Sequence, residues 1–255
     1  MQNLFSLEGR VAVVTGGSRG IGAMIAKGFL VYGAKRVYIT ARKAAACDAA
    51  AEELSEFGEC VSLPGDISTI EGIEGLAKRI LEREDKLDIL VNNAGAAWGA
   101  EFDTFPESGW DKTVDLNMKT PFFLTQALIA PLRAAAKDHV SKVINICSID
   151  GQSVTKDETY PYGASKAGLI HMTKRMALRL AADNIAVSGI APGAFASDMN
   201  KVARDHADAV SKAIPAGRIG SDEDMAGAAI YLASRAGDYV VGSTITVDGG
   251  VSYAR

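Results

Sequence analysis

Tyr162 and Lys166 stand four residues apart in the run Tyr162-Gly163-Ala164-Ser165-Lys166. On a helix, positions i and i+4 share a face, so this spacing sets an ammonium beside a phenol. A phenol with an ordinary pKa near ~10 is a poor proton carrier at neutral pH. A neighbouring cation favours the phenolate and lowers that value. The pair therefore reads as a device for passing a proton to or from an oxygen atom. Ser148, at the end of an apolar run, is placed to donate to the same oxygen and hold it. Tyr160 is not an equivalent candidate, because Ala164 occupies the position four residues on.

A second constellation lies near the N-terminus. Thr15-Gly16-Gly17-Ser18-Arg19-Gly20-Ile21-Gly22 follows an apolar run and opens a helical pattern. Glycines permit a tight turn and close approach of a ligand to the backbone. The helix start then offers unpaired N–H groups and a positive dipole end to phosphates. The spacing Gly16-x3-Gly20-x-Gly22 departs from the common dinucleotide pattern G-x-G-x-x-G. After the second strand, an enzyme that prefers NAD usually places a carboxylate for the ribose 2′-hydroxyl. Here the segment is Ile39-Thr40-Ala41-Arg42-Lys43, without an acid. Arg42 and Arg19 are suited to flank a 2′-phosphate, which points to NADP(H); the alternative is two solvated surface arginines.

Asp66-Ile67 follows the third strand, where the carboxylate can accept from an adenine amino group or cap the next helix. Asn92-Asn93-Ala94-Gly95 follows the fourth. Asparagine amides there are suited to bridging neighbouring strands, and the small Ala94-Gly95 pair leaves room for a ribose.

The elements that must position these residues follow from periodicity. Short apolar runs predict strands over residues 11–15, 37–40, 61–63, 87–91, 143–146, 185–190 and 244–247. Amphipathic stretches between them predict helices over 21–31, 44–57, 70–84, 110–136, 162–182 and 222–233, with Pro121 as a kink or new start within the longest. Strand–helix alternation with strands buried on both faces predicts an α/β fold, a doubly wound parallel sheet with helices on each side. A single domain over 1–255 is expected, with residues 193–218, which break the alternation, as a candidate lid. The strand ends of such a sheet define its ligand crevice. Trp98, Gln152 and residues 195–199, Met199 among them, should therefore line or cover a substrate; for Trp98 the alternative is an ordinary buried aromatic.

Composition narrows the function classes. With 255 residues, 48% hydrophobic and 23% charged, the chain can bury a large core. A net charge of −4 gives no general case for nucleic-acid binding. No apolar run reaches membrane-spanning length and the N-terminus lacks a signal core, so a cytoplasmic protein is expected. Three cysteines, Cys47, Cys60 and Cys147, form no even framework or CxxC pair, and the three histidines are scattered; no metal site is predicted.

Taken together, TGGSRGIG, NNAG, Asn117, Ser148, YGASK, Pro192-Gly193 and Val247-Asp248-Gly249-Gly250 resemble the classical short-chain dehydrogenases/reductases, in order and over nearly the whole chain. The resemblance implies a Rossmann-type domain, a homotetramer or dimer, and a tetrad of Asn117, Ser148, Tyr162 and Lys166. It implies that Asn117 interrupts its helix and holds a water in a relay to Lys166, and that Lys166 also donates to the nicotinamide ribose. Cofactor contacts are implied for Gly16, Ser18, Arg19, Gly20, Ile21, Gly22, Arg42, Asp66, Ile67, Asn93, Ala94, Gly95, Tyr162, Lys166, Pro192, Gly193, Phe195 and Ser197. Leu169, Met172 and Met176 are candidates for subunit packing, or simply core. Within the family the pattern is most similar to 3-oxoacyl reductases, carried by Asn92–Gly99 and Arg42. It departs in the 14-residue separation of Ser148 and Tyr162, in Ala186-Val187-Ser188, and in Asp183-Asn184, where carrier-protein reductases often place a basic residue. The last departure predicts weaker docking of an acidic carrier protein. The expected activity is NADPH-dependent reduction of a ketone, a 3-oxoacyl thioester or a free ketone or keto-sugar. Competing readings are an alcohol or polyol dehydrogenase and a nucleotide-sensing scaffold; a sensor would have no need of both Tyr162 and Lys166.

Overall fold

The computed structural model describes residues 2–254. Seven parallel strands form one sheet in the order β3-β2-β1-β4-β5-β6-β7. They are β1 (Val11–Thr15), β2 (Arg36–Thr40), β3 (Cys60–Ser62), β4 (Ile89–Asn92), β5 (Ser141–Ile146), β6 (Ile185–Pro192) and β7 (Thr244–Val247). The helices are α1 (Gly20–Val31), α2 (Ala44–Leu54), α3 (Ile70–Leu81), α4 (Glu107–Val114), α5 (Thr120–Ala127), α6 (Ile129–Ala135), α7 (Tyr160–Leu180), α8 (Lys201–Asp205), α9 (Ala207–Ser211) and α10 (Asp222–Ala233).

Alternation along the strands builds two cores. Ala12, Val14, Val37 and Ile39 face α1, α2 and α10, whereas Val11, Val13 and Tyr38 face α3, α5 and α7. The five inner strands are covered on both faces, which is why their runs are mostly apolar rather than alternating, while the edge strands β3 and β7 are only partly buried. Among the described residues no helix is long and apolar enough to cross a membrane.

The long helix expected over residues 110–136 is three helices. A wide π-turn at Asp115–Lys119 separates α4 from α5. Thr120 Oγ1 donates to Ile67 O (2.8 Å) and Asp115 O (3.1 Å), and Pro121 sits in the first turn of α5, where its missing N–H costs nothing. A second break falls at Leu128. Helix α7 starts two residues early, at Tyr160, with Pro161 in its first turn. The candidate lid contains the short helices α8 and α9, which periodicity did not indicate. Leu169 and Met176 are buried within the chain's own cores, so neither is free to pack a second subunit; Met172 lies against the same cores.

Polar groups also tie the layers together. Asn92 Nδ2 donates to Asn145 Oδ1 (2.9 Å) and, less closely, to Thr125 Oγ1 (3.3 Å). Asn145 Nδ2 donates to Thr173 Oγ1 (2.9 Å), and all four side chains are buried. This chain of amides links β4 to α5 and β5 to α7, two helices that cover the same face of the sheet. At the opposite sheet edge, buried Asp88 accepts from Val11 N (2.7 Å) and meets Arg10 and His139, while Lys142 pairs with Asp238 (2.7 Å).

Asn145→Ala removes the middle of the first network, taking from Asn92 its closer acceptor and from Thr173 its donor. Each hydrogen bond lost between buried groups costs about 0.5–1.5 kcal/mol, and more where a group is left without a full set of partners. Urea unfolding should show the variant destabilised by at least about 2 kcal/mol; a loss under about 0.5 kcal/mol would show the network to be energetically idle.

Candidate active site

Because all seven strands are parallel, the turns after β1, β4, β5 and β6 emerge at one edge. The first carries the glycines. Gly16 and Gly20 adopt left-handed φ values of 65° and 52°. A Cβ on Gly22 would stand 2.3 Å from Gly16 O, and one on Gly16 3.1 Å from Ala94 Cα, so the turn closes only without side chains. Thr15 and Asn93 lock it in place. Thr15 Oγ1 accepts from Asn93 N and Ala94 N (2.9 Å each), and Asn93 Nδ2 donates to Thr15 O (2.7 Å). The Asn93 side chain thus clasps the turn after β1 to the end of β4. Helix α1 has no acidic residue of its own in its first turn.

At the ends of β2 and β3, Arg42 is exposed and its charge reaches Asp66. Asp66 accepts from Ser68 N (3.0 Å), whereas Thr69 is the residue that caps α3. The capping alternative for Asp66 is therefore removed. Burial pushes the Asp66 carboxyl up, but the Ser68 hydrogen bonds and Arg42 outweigh it and hold it below the ordinary value. The Ile67 side chain is buried in the second core. Arg19 is engaged elsewhere: its guanidinium meets Asp198 (2.5 Å), which also pairs with Arg204 of α8 (2.6 Å). The candidate lid is thereby pinned to the glycine turn.

At the ends of β4 and β5 the four residues of the expected tetrad converge. Lys166 is buried and its Nζ donates to Ile146 O (2.7 Å), the last carbonyl of β5. The same Nζ lies 5.7 Å from the centre of the Tyr162 ring. Asn117, in the π-turn, accepts from Ala96 N (2.8 Å) and donates to Ala96 O (2.9 Å) and Ser165 Oγ (3.0 Å). The helix is interrupted there, as the family pattern implies, and the Asn117 side chain is spent on joining the strand end to α7. Gly95 lies between: a Cβ there would come within 3.1 Å of Asn117 Oδ1 and 3.7 Å of Lys166 Nζ. Ser148 opens a short 3-10 turn, Ile149–Gly151, and its Oγ accepts from Asp150 N (3.1 Å). A hydroxyl that accepts from the backbone still has its own proton to donate, and the Tyr162 oxygen is within its reach.

The electrostatics differ from the expectation drawn from spacing. Burial pushes the Tyr162 phenol up to about 12; a hydrogen bond with Ser148 opposes this, while Asp150 and Cys147 add to it. Burial likewise pulls Lys166 down to about 8. Desolvation, which disfavours both charged forms, is the largest cause of each shift. At neutral pH the site holds a protonated phenol beside an ammonium.

The remaining predicted residues are more scattered. Trp98 packs on Gly109 of α4, and Lys112 Nζ lies 5.1 Å above its ring. Gln152 Oε1 accepts from Thr246 Oγ1 (3.0 Å) and Tyr253 OH (3.4 Å). The Phe195 side chain is in the first core against Gly220, leaving only its backbone for a ligand. Ser197 Oγ accepts from Asn200 N (3.1 Å), its Cβ lying near Gly20, and Met199 is exposed. Pro192 ends β6, and Gly193 N donates to Val247 O (2.9 Å), with Asp248 so close that a Cβ on Gly193 would meet it at 2.6 Å. Sequence reasoning named Thr15 only as the start of the glycine run, without its locking role, and missed Asn145 and Thr173. The signal for Asn145 was a lone amide inside the apolar run VINI. Among the described residues no cluster of His, Cys, Asp or Glu is arranged to hold a metal ion.

A doubly wound parallel sheet with a glycine turn at the switch between β1 and β4, and a serine, tyrosine and lysine beside it, defines a dinucleotide-dependent oxidoreductase. Residues 16–252 match the family model described as enoyl-(acyl carrier protein) reductase. The chain belongs to the short-chain dehydrogenase/reductase family. It is 46% identical over 254 residues, 98% of this chain and 99% of the relative, to the rhamnolipids biosynthesis 3-oxoacyl-[acyl-carrier-protein] reductase of Pseudomonas aeruginosa. It is 36% identical, across the full length of both, to a 5-keto-D-gluconate 5-reductase of Escherichia coli. Among solved structures, a Pseudomonas aeruginosa NADP active-site complex superposes with a TM-score of 0.94 at 44% identity, covering 99% of this chain and all of that one. A gluconate 5-dehydrogenase of Burkholderia cenocepacia in complex with NADP and tartrate gives 0.90 at 33% identity, covering 99% of each chain.

The buried ammonium can be read directly. Nitrogen-detected NMR of the lysine side chains should show one group losing its proton near pH 8, and Lys166→Met should abolish that transition. A Lys166 midpoint at the ordinary 10.5 would show that burial does not govern its charge.

Proposed function

We propose that the chain reduces a ketone with NADPH, a 3-oxoacyl thioester being the favoured substrate class, with Tyr162 as the acid that protonates the oxygen. The observation that carries this reading is the convergence of Ser148, Tyr162 and Lys166 beside the glycine turn, with the phenol held in its acid form. The nucleotide fits the residues present: the turn after β1 accepts phosphate only because it lacks side chains, and the end of β2 offers Arg42 without a carboxylate. Gly16, Ser18, Gly20, Ile21 and Gly22 are assigned to the diphosphate, and Arg42 to the 2′-phosphate. Asp66 and Ile67 are assigned to adenine, and Ala94, Gly95 and residues 192–197 to the nicotinamide half. Arg19 reaches the 2′-phosphate only by leaving Asp198.

When bound, the dinucleotide supplies hydride to the carbonyl carbon. Ser148 donates its free proton to the carbonyl oxygen and holds it. As that oxygen gains negative charge, Tyr162 gives it a proton. Lys166, charged at neutral pH, binds the nicotinamide ribose and stabilises the phenolate that Tyr162 becomes. Asn117 sets the distance between the end of β4 and α7. Residues 193–218 are proposed as the lid over this site within one domain spanning the chain, and Trp98, Gln152 and Met199 as its outer wall. A homotetramer is the proposed assembly; Leu178 and Phe122, exposed on α7 and α5, are better placed for it than the buried Leu169 and Met176. Asp183 lies between Arg133 (2.7 Å) and Arg179 (3.3 Å), so the surface there is not a bare acid and does not by itself repel an acidic carrier.

A polyol substrate oxidised in the reverse direction is the second reading, supported by the likeness to gluconate-acting relatives. It makes a different demand on Tyr162, which must then start as the phenolate.

Tyr162→Phe should lower kcat for ketone reduction by about 10²–10⁴-fold, the usual worth of a positioned acid, while NADPH still binds. With the phenol protonated below about 12, wild-type reduction should hold level through neutral pH and decline above about 8 as Lys166 loses its charge. Oxidation should instead climb with pH. A variant within tenfold of wild type would remove Tyr162 from the chemistry.

Cofactor choice has its own test. Ala41→Asp with Arg42→Ala places a carboxylate against the 2′-phosphate and removes a cation. A charge-assisted hydrogen bond is worth about 1.5–3 kcal/mol, tenfold or more. The NADPH:NADH ratio of kcat/KM should fall by at least that factor. An unchanged ratio would make Arg42 a surface charge.

A further inference from the structure

Asp150 occupies an unusual place for a carboxylate. It lies in the short turn Ile149–Gly151, and its N–H donates to Ser148 Oγ. The turn is wedged against α7: a Cβ on Gly151 would stand 2.6 Å from the backbone carbon of Lys166, and one on Gly163 would stand 3.3 Å from Asp150 O. The residue is therefore fixed between Ser148 and Tyr162, and half-buried. Among the described residues its carboxylate has neither an ion-pair partner nor a hydrogen-bond donor, whereas Asp183, Asp198, Asp224 and Asp238 all pair with arginine or lysine. Burial and the nearby Asp157 raise its pKa, and its charge is felt by the Tyr162 phenol. The loop from 150 to 160 adds Asp157 and Glu158 against a single cation, Lys156. Across the mouth, Ala100 N donates to Glu158 O (3.1 Å), and Asp103 acts on Tyr160.

We propose that Asp150 sets substrate charge: the site takes ketones that are uncharged around the reacting carbonyl, as in 3-oxoacyl esters and thioesters, and rejects those bearing a carboxylate there. A half-buried carboxylate without a cation repels a second anion brought close to it, and the less water lies between them the less that repulsion is screened. It accepts hydrogen bonds from neutral donors at no such cost. An acyl ester or thioester brings no anion next to its 3-oxo group, whereas a 3-oxo acid places its carboxylate one carbon from the ketone. The inference rests on Tyr162 being the group that meets the substrate oxygen.

Ethyl acetoacetate and acetoacetate differ only by the ester group. On the full chain with NADPH, wild type should favour the ester at least tenfold in kcat/KM, and Asp150→Asn, nearly the same shape without the charge, should shrink that ratio about tenfold. A ratio unchanged in Asp150→Asn, or a wild type that prefers the acid, overturns the proposal. A purely structural role for Asp150 would lower both substrates together and leave the ratio alone. The same pair is compared for binding, by intrinsic fluorescence in the presence of NADP, in Tyr162→Phe and in Tyr162→Phe with Asp150→Asn. Ester preference in binding that Asp150→Asn reduces supports the charge filter without any turnover. Full turnover by Tyr162→Phe counts against the catalytic reading instead, so the two failures are told apart.

Discussion

The packing of β4 and β5 against α7 is the constraint on which the site depends. Lys166 cannot deliver its ammonium to the strand edge unless α7 lies at a fixed height along β5. Two contacts set that height: Lys166 Nζ on Ile146 O, and Thr173 on Asn145 two helical turns further along. The strand carbonyl and the buried amide act as two pins through one helix. Asn92 then carries the register of β5 to β4, whose end bears Asn93, Ala94 and Gly95. Buried polar groups of this kind contribute modestly to stability when paired and cost much more when one partner is missing. Their main effect here is geometric.

The same burial that fixes the helix sets the protonation states. Removing water from around Tyr162 and Lys166 disfavours phenolate and ammonium alike, and the directions of the two shifts follow from that one cause. The phenol stays an acid, while the ammonium, pulled only to about 8, remains charged at neutral pH. A site with these two states is prepared to give a proton. The proposed reverse reaction would start from the phenolate, the form that burial disfavours.

Charge is distributed unevenly around the crevice. Arg42 is exposed at the end of β2, where its charge acts on Asp66, whereas Arg19 is held by Asp198 and links the glycine turn to the segment after β6. On the substrate side Asp150 is unpaired among the described residues, beside the serine and tyrosine. The proposed tasks of the two ends differ accordingly: a cation for a phosphate at one, and an anion that excludes acids at the other.

The class of fold was legible because a parallel sheet needs strands that are apolar on both faces, and VAVVT and ILVN satisfy that in sequence. The glycine turn and the Tyr162–Lys166 spacing were legible for the same reason: local geometry alone demands those residue types at those intervals. Element ends were less so. The break at Asp115–Lys119 depends on Thr120 reaching the carbonyl of Ile67, 53 residues earlier, and no local pattern signals such a bond. Asn93 read as a cofactor neighbour, yet its side chain closes the turn after β1. Leu169 and Met176 carried the same apolar signature whether they faced a core or a partner, and only the sheet decided that they face inward. The protonation of Tyr162 was beyond the sequence altogether, since spacing reports which charge is near but not how much water is excluded. That quantity exists only once β5, the Ile149–Gly151 turn and α7 have closed around the phenol.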